Sequence, residues 1–217
     1  FNFDFKIGDE AHHLVSKLKD ESKQWIIFHK IKSKNTLNMS ATEKMIINKT
    51  SNIIYSMEDE PIFGKHICPP ITIKWAIDNN KITDYRVVLL RNTEEQVDDI
   101  IKSIRIPICN KELFMSAYVS LKSMQKYNDL THILIYCNKT NSSNLIIEYI
   151  DLIIRHKLIE FDRENLFYKD YHSKTLDKLG SLNKFKKSKY GIISCVYELG
   201  EGTNIPELNG VVFAENM

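Results

Sequence analysis

Hydrophobic and polar positions along this chain change period several times, and each change marks an element. The opening FNFDFKI alternates strictly, with Phe1, Phe3, Phe5 and Ile7 on one face, the period-2 signature of a core strand. EAHHLVSKLKDES then shifts to helical spacing through Ala11, Leu14, Val15 and Leu18. QWIIFHKI reads as an apolar turn or helix, and TLNMSAT as a short strand ending in small hydroxyl residues. After an irregular region from Asn52, TIKWAIDNN predicts a helix, and YRVVLL a buried strand over Tyr85–Leu90. TEEQVDDIIKSIR follows as a helix, with Thr93 and Gln96 spaced as a capping box. KELFMSAYVSLKSMQKY is helical, with Leu113, Ala117, Leu121 and Met124 on one face. The remainder alternates: THILIYCN strand, NSSNLIIEYIDLIIRHKL helix, LFYKDY strand, KTLDKLGSLNKFKKS basic helix, YGIISCVY and GVVFAE strands.

Strands alternating with helices predict βαβ units around parallel sheets, an α/β architecture. The switch near Ile82–Tyr85 divides the chain into two such units, residues 1–83 and 84–217. No internal repeat or low-complexity tract interrupts them.

Composition narrows the class. At 217 residues the chain is one large domain or two small ones, and 43% hydrophobic with 27% charged residues is ordinary for a folded protein. A formal net charge of +2 gives no broad basic surface, so any nucleic-acid binding must come from a local groove. Lysine far outnumbers arginine, and Ile and Asn are abundant, a bias of AT-rich genomes such as those of large DNA viruses and some protists. Cys68, Cys109, Cys137 and Cys195 form no CxxC, and three sit among apolar residues, which predicts buried free thiols rather than disulfides or zinc. N-x-S/T triplets such as Asn48-Lys49-Thr50 are expected by chance in so Asn-rich a chain. No run is apolar enough to span a membrane, and no signal peptide opens the chain, so the expected setting is the cytoplasm or nucleus. A chain that begins inside a core strand is expected to be part of something larger.

The candidate chemistry starts at Asp9 and Glu10. In open α/β sheets ligands sit at the carboxyl ends of the strands, where this pair follows FNFDFKI. There one carboxylate can orient Mg²⁺ while its neighbour polarises a water for attack on a γ-phosphate. Acidic residues also favour the first turn of a helix, where they complement its dipole. The pair by itself supports both readings.

Two further motifs follow. NMSATEK places Ser40-Ala41-Thr42 at a second strand end, and YELGEGTNIPELNGVVF places Glu201 to Pro206 between two late strands. DEAH, SAT and EGTNIP, in this order and at these distances, resemble the superfamily-two helicases, the DEAD/DEAH-box and restriction-type translocases. FDFKIGDEAHH is similar to their Walker-B motif, and THILIYCNKTNSSN to the strand that opens their second core domain. The resemblance covers most of the chain and is weakest from Asn52 to Asn80.

It implies two tandem RecA-like parallel-sheet domains, both incomplete, with ATP and Mg²⁺ as cofactors and DNA or RNA as partner. Asp9 would then coordinate the metal of Mg-ATP, Glu10 would activate the attacking water, and His12 would couple that site to the second domain. Ser40 and Thr42 would link hydrolysis to domain movement. Gly202 and Thr203 would contact the nucleic-acid backbone, as would Asn138, Lys139 and Thr140 after HILIYC, where a solvated loop is equally compatible. Asn204 departs from the Asp common in restriction-type enzymes; an amide still hydrogen-bonds a ribose hydroxyl but brings no charge.

No G-x-x-x-x-G-K-[ST] phosphate loop occurs in the 217 residues, and the arginine motif that normally follows VVFAEN is absent. The expected function is that of an ATP-dependent helicase or translocase whose isolated fragment is inactive. The alternatives are a degenerate, non-enzymatic nucleic-acid-binding scaffold and a translocase subunit that does not separate strands. His13, His29, His66, His132, His156 and His172 lack metal-ligand spacing and are expected as ordinary surface or packing residues. Trp25 and Trp75 are expected in the core. Lys184, Lys186, Lys187 and Lys189, interleaved with Phe185 and Tyr190, form the best basic patch, expected as a solvated helix end that could also face phosphates.

Overall fold

A computed structural model describes residues 2–17, 24–46, 54–89, 93–104, 107–200 and 203–215. The chain divides into two compact units, Phe1–Arg86 and Val87–Met217.

In the first unit, strands β1 (Phe3–Gly8) and β3 (Ser33–Asn38) pair in parallel, with Phe5 opposite Asn35 and Gly8 opposite Asn38. Helix α1 (Gln24–Lys30) lies in the crossover between them. Lys6 turns toward α1, its ammonium donating to the carbonyls of Phe28 and Ile31 at 3.1 Å each. Pleating therefore sends Phe3, Phe5 and Ile7 to the opposite face, where each stays about half exposed (52–55%). The alternation predicts the strand correctly, but its apolar face is not core in these residues.

The helix expected over EAHHLVSKLKDES is a single 3-10 turn, Ala11–Leu14. Val15 is extended (φ −73°, ψ 117°), and β2 (Ser16–Lys17) pairs antiparallel with β4 (Ile54–Tyr55). Pairing and burial override the helical period: Ala11, Leu14 and Val15 join Phe63 in a small core closed by Phe28, Tyr55 and Met57. Leu18 and the rest of that predicted helix lie outside the described residues. Two short helices follow, α2 (Glu60–Phe63) and α3 (Ile73–Asp78), the latter capped by Thr72, whose hydroxyl accepts from the Trp75 amide at 3.1 Å. Trp75 is 47% exposed, not core; the side chain of Trp25 lies outside the described residues.

The predicted strand at Tyr85–Leu90 does not form. Residues 83–89 carry no strand, and Tyr85, Val87 and Leu89 are exposed, while Leu90 lies outside the described residues. Strand propensity acts only through a neighbouring strand, and no described strand lines up with this segment.

The second unit matches its pattern closely. Helices α4 (Glu94–Ile104) and α5 (Lys111–Lys126) lead into β5 (His132–Tyr136), α6 (Thr140–Arg155), β6 (Leu166–Tyr171), α7 (Lys178–Lys187), β7 (Tyr190–Cys195) and β8 (Gly210–Phe213). The capping box forms: the Thr93 amide donates to the Gln96 side chain at 3.1 Å, and the Gln96 amide to the Thr93 hydroxyl at 3.3 Å. The sheet order is β6-β7-β5-β8, with every pairing parallel. One face carries Ile133, Ile135 and Ile192 against Leu113, Phe114, Ala117 and Leu121 of α5 and Ile146, Ile150 and Ile153 of α6. The other carries Leu134, Ile193 and Cys195 against Phe185 of α7. Cys137 and Cys195 thus lie on opposite faces as buried free thiols; Cys68 and Cys109 are free but exposed, so two thiols rather than three are buried. Burial, with Cys137 and Glu198 nearby, pushes the Cys195 thiol up to about 12, which keeps it protonated.

Both units are therefore mixed α/β around parallel strands. Among the described residues no helix is long and apolar enough to cross a membrane.

Candidate functional site

In the first unit, parallel pairing brings the DEAH and SAT segments together, because both follow the carboxyl ends of adjacent strands. One residue holds them. The Met39 amide donates to the Gly8 carbonyl and the Met39 carbonyl accepts from the Ala11 amide, both at 2.8 Å. Asp9 and Glu10 are thereby pushed out of the ladder as a two-residue excursion, both exposed. Glu10 adopts the left-handed conformation (φ 48°, ψ 48°), at a cost of about 1–2 kcal/mol for a residue with a Cβ. The Glu10 amide donates to the Asp9 carboxylate at 3.0 Å.

His12 joins the two motifs. Its Nδ1 lies 2.9 Å from the Ser40 hydroxyl and 3.3 Å from the Glu10 carboxylate. The Ser40 hydroxyl gives its proton to the Thr42 carbonyl at 2.7 Å and accepts from the Thr42 amide at 3.2 Å. Nδ1 must then carry the proton toward Ser40, with Glu10 as a second acceptor. Acid, histidine and hydroxyl form one connected chain over a gap of 28 residues in sequence.

Sequence reasoning missed two supports here. Gly8 is buried, and a Cβ on it would stand 2.6 Å from the Asn38 side-chain oxygen and 3.0 Å from the Phe28 ring. Asn38 passes over this gap to donate to the Phe63 carbonyl at 3.0 Å, tying the end of β3 to α2. The glycine before the acids was the visible signal.

In the second unit, Asn138 and Lys139 sit between β5 and α6, and Thr140 is the first residue of α6. The α6 start has no side-chain cap of its own, because Lys139 occupies the N-cap position. Glu215, just beyond β8, takes that role: its carboxylate accepts from the Asn138 amide at 2.7 Å and from the Ser142 hydroxyl at 3.1 Å. No local pattern announces a cap supplied from more than seventy residues away. Replacing Glu215 with Ala should cost about 1–3 kcal/mol of unit stability, read as a lower urea midpoint with unchanged slope. Thr203 and Asn204 are exposed, and Ile205, 8% exposed, anchors their loop in the core. Gly202, like Glu201, lies outside the described residues.

The basic helix end is solvated. Phe185 is fully buried, Lys184, Lys187 and Lys189 are exposed, and Lys189 lies over the Tyr190 ring. A shallow groove of about 440 Å³ is lined by Ile147, Glu148, Asp151, Leu152, Arg155 and Tyr168. Of its two carboxylates, that of Asp151 is already committed. Burial raises the affinity of Asp151 for a proton, but the Tyr168 hydroxyl and the Arg155 and Arg163 guanidinia outweigh this and hold it below the usual carboxylate range.

Among the described residues no group of three or more His, Cys, Asp or Glu side chains could hold a metal alone. Two adjacent exposed carboxylates nevertheless suit Mg²⁺, which keeps most of its waters and takes further oxygens from a phosphate substrate.

No protein-family model and no curated protein matches the chain. A solved structure does: the ATP-dependent Type ISP restriction-modification enzyme LlaBIII bound to DNA, at TM-score 0.69 over 99% of this chain with 18% identity. The two share a fold. It is the parallel-stranded α/β arrangement that the motif resemblance implies, and this chain spans 16% of that enzyme's chain. Mss116p DEAD-box helicase domain 2 bound to an RNA duplex also aligns, at 15% identity over 48% of this chain and 38% of that one, with a TM-score of 0.37 from which we draw nothing.

Proposed function

We propose that this chain is the core of an ATP-driven nucleic-acid helicase or translocase. The observation that carries the reading is the connected Glu10–His12–Ser40 arrangement at the carboxyl ends of two paired parallel strands. Asp9 would hold the Mg²⁺ of Mg-ATP, which when bound neutralises phosphate charge. Glu10, placed outside the ladder, would accept the proton of the attacking water. His12 and Ser40 would carry the state of that site into the segment ending at Thr42. In the second unit Asn138, Lys139, Gly202 and Thr203 would meet the nucleic-acid backbone, and Asn204 a ribose hydroxyl. The fold shared with an enzyme solved on DNA supports a nucleic-acid partner.

A second reading, a nucleic-acid-binding scaffold without turnover, is favoured by one observation: the 217 residues contain no phosphate loop. ATPase assays with magnesium and nucleic acid decide between them. The 217-residue chain alone should show no turnover, whereas a longer native chain carrying a phosphate loop should be stimulated by DNA or RNA. A longer native chain with neither loop nor turnover establishes the scaffold. Strand displacement measured alongside ATPase separates a helicase from a translocase that leaves the duplex paired.

A further inference from the structure

Tyr197 is the most exposed aromatic side chain among the described residues, at 86%. It sits just after β7, at the sheet end where β5 and β6 also finish, since Tyr136 and Tyr171 both pair with Cys195. Its backbone is left-handed (φ 50°), as is that of Leu199 (φ 63°), so two non-glycine residues hold unfavoured conformations within three positions. Such strain persists only where the surroundings impose it. Two contacts do so: Glu198 is gripped by Lys178 at 2.6 and 2.7 Å, and the Leu199 carbonyl accepts from the Tyr136 hydroxyl at 3.2 Å.

The loop is therefore pinned while its aromatic ring is presented to solvent. The Lys178–Glu198 pair sets Tyr197 beside the start of α7, where Leu176 and Leu179 are also strongly exposed. Lys139, after β5, and Lys174, after β6, are exposed at the same sheet end. The described carboxylates there are all engaged within the chain: Asp170 with His172 and Thr175, Asp177 with the Gly180 amide, Glu198 with Lys178, and Glu215 with α6. An exposed ring on a pinned loop, with exposed lysines at the same sheet end, suits a base and its phosphate rather than an apolar protein surface.

We infer that Tyr197 is a stacking platform for an unpaired base of single-stranded nucleic acid, with Lys139 and Lys174 facing the adjoining phosphates. The inference rests on the nucleic-acid reading above. It is tested by fluorescence anisotropy of the chain with a labelled oligothymidylate of about 20 nucleotides and with an abasic strand of equal length. Tyr197→Ala should weaken oligothymidylate binding about 5- to 150-fold, the range that stacking of one base supports. Tyr197→Phe should bind like wild type, Tyr197→Leu like the alanine variant, and the abasic strand should not distinguish any of them. Equal oligothymidylate binding by wild type and Tyr197→Ala overturns the inference and leaves the nucleic-acid reading standing. Wild-type affinity in Tyr197→Leu also overturns it, because apolar contact then suffices. Wild-type chain that binds neither strand overturns the nucleic-acid reading and this inference together.

Discussion

Glu10→Gln is expected to lower ATP turnover by about 10²–10⁴-fold, the usual contribution of a general base. The measurement is made on a native chain in which a phosphate loop accompanies these residues, and compares kcat with KM. The substitution keeps side-chain length and leaves an amide oxygen able to accept from His12 Nδ1, now 3.3 Å from the carboxylate. It removes the negative charge and, with it, the capacity to take a proton. KM should stay within a few-fold, because binding and proton transfer are separate tasks. Undiminished turnover would take Glu10 out of the catalytic role and leave its left-handed backbone without a functional account.

Phe185→Ala should be the most damaging single change in the second unit, costing about 3–5 kcal/mol of a stability that is typically ~5–15 kcal/mol. The ring is fully buried, meets the His132 ring edge-on at 4.8 Å, and fills the space a side chain at Gly191 would take, 2.6 Å from that residue's absent Cβ. The Phe185 carbonyl also accepts from His132 Nε2 at 2.9 Å, so α7 is fastened to the sheet at two adjacent points. Urea unfolding followed by tyrosine fluorescence reads the loss. Lys184→Ala and Lys187→Ala, one position before and two after on the same helix, should each stay within about 0.5 kcal/mol. A Phe185→Ala loss below about 1 kcal/mol would mean that the unit repacks around the gap.

The two units differ in how much of them could be read in advance. In the second, α5 shows its core face as Leu113, Ala117, Leu121 and Met124, all buried, and Thr93 and Gln96 cap α4 as their spacing predicts. Strong local periodicity and strong capping chemistry agree there, so each element follows from its own residues. The first unit is built of short elements whose local preference is weak. Leu14 and Val15 have helical spacing, yet only one turn forms before Ser16 and Lys17 are drawn to Ile54 and Tyr55. Tyr85, Val87 and Leu89, where one unit gives way to the next along the chain, have strand composition, yet no strand forms there among the described residues.

By itself, then, the sequence determined the α/β class, the order of elements from α4 to β8, the separate free thiols, and the presence of the DEAH, SAT and EGTNIP segments, because these depend on neighbours within a few residues. Only the tertiary structure decided that Met39 lifts Asp9 and Glu10 out of the ladder, that His12 reaches Ser40, that Glu215 caps α6, and that Phe3, Phe5 and Ile7 lie on the uncovered face. The reason is common to all four: parallel pairing and sheet faces are set by partners tens of residues away, and a side chain's local pattern records its period but not which partner will meet it.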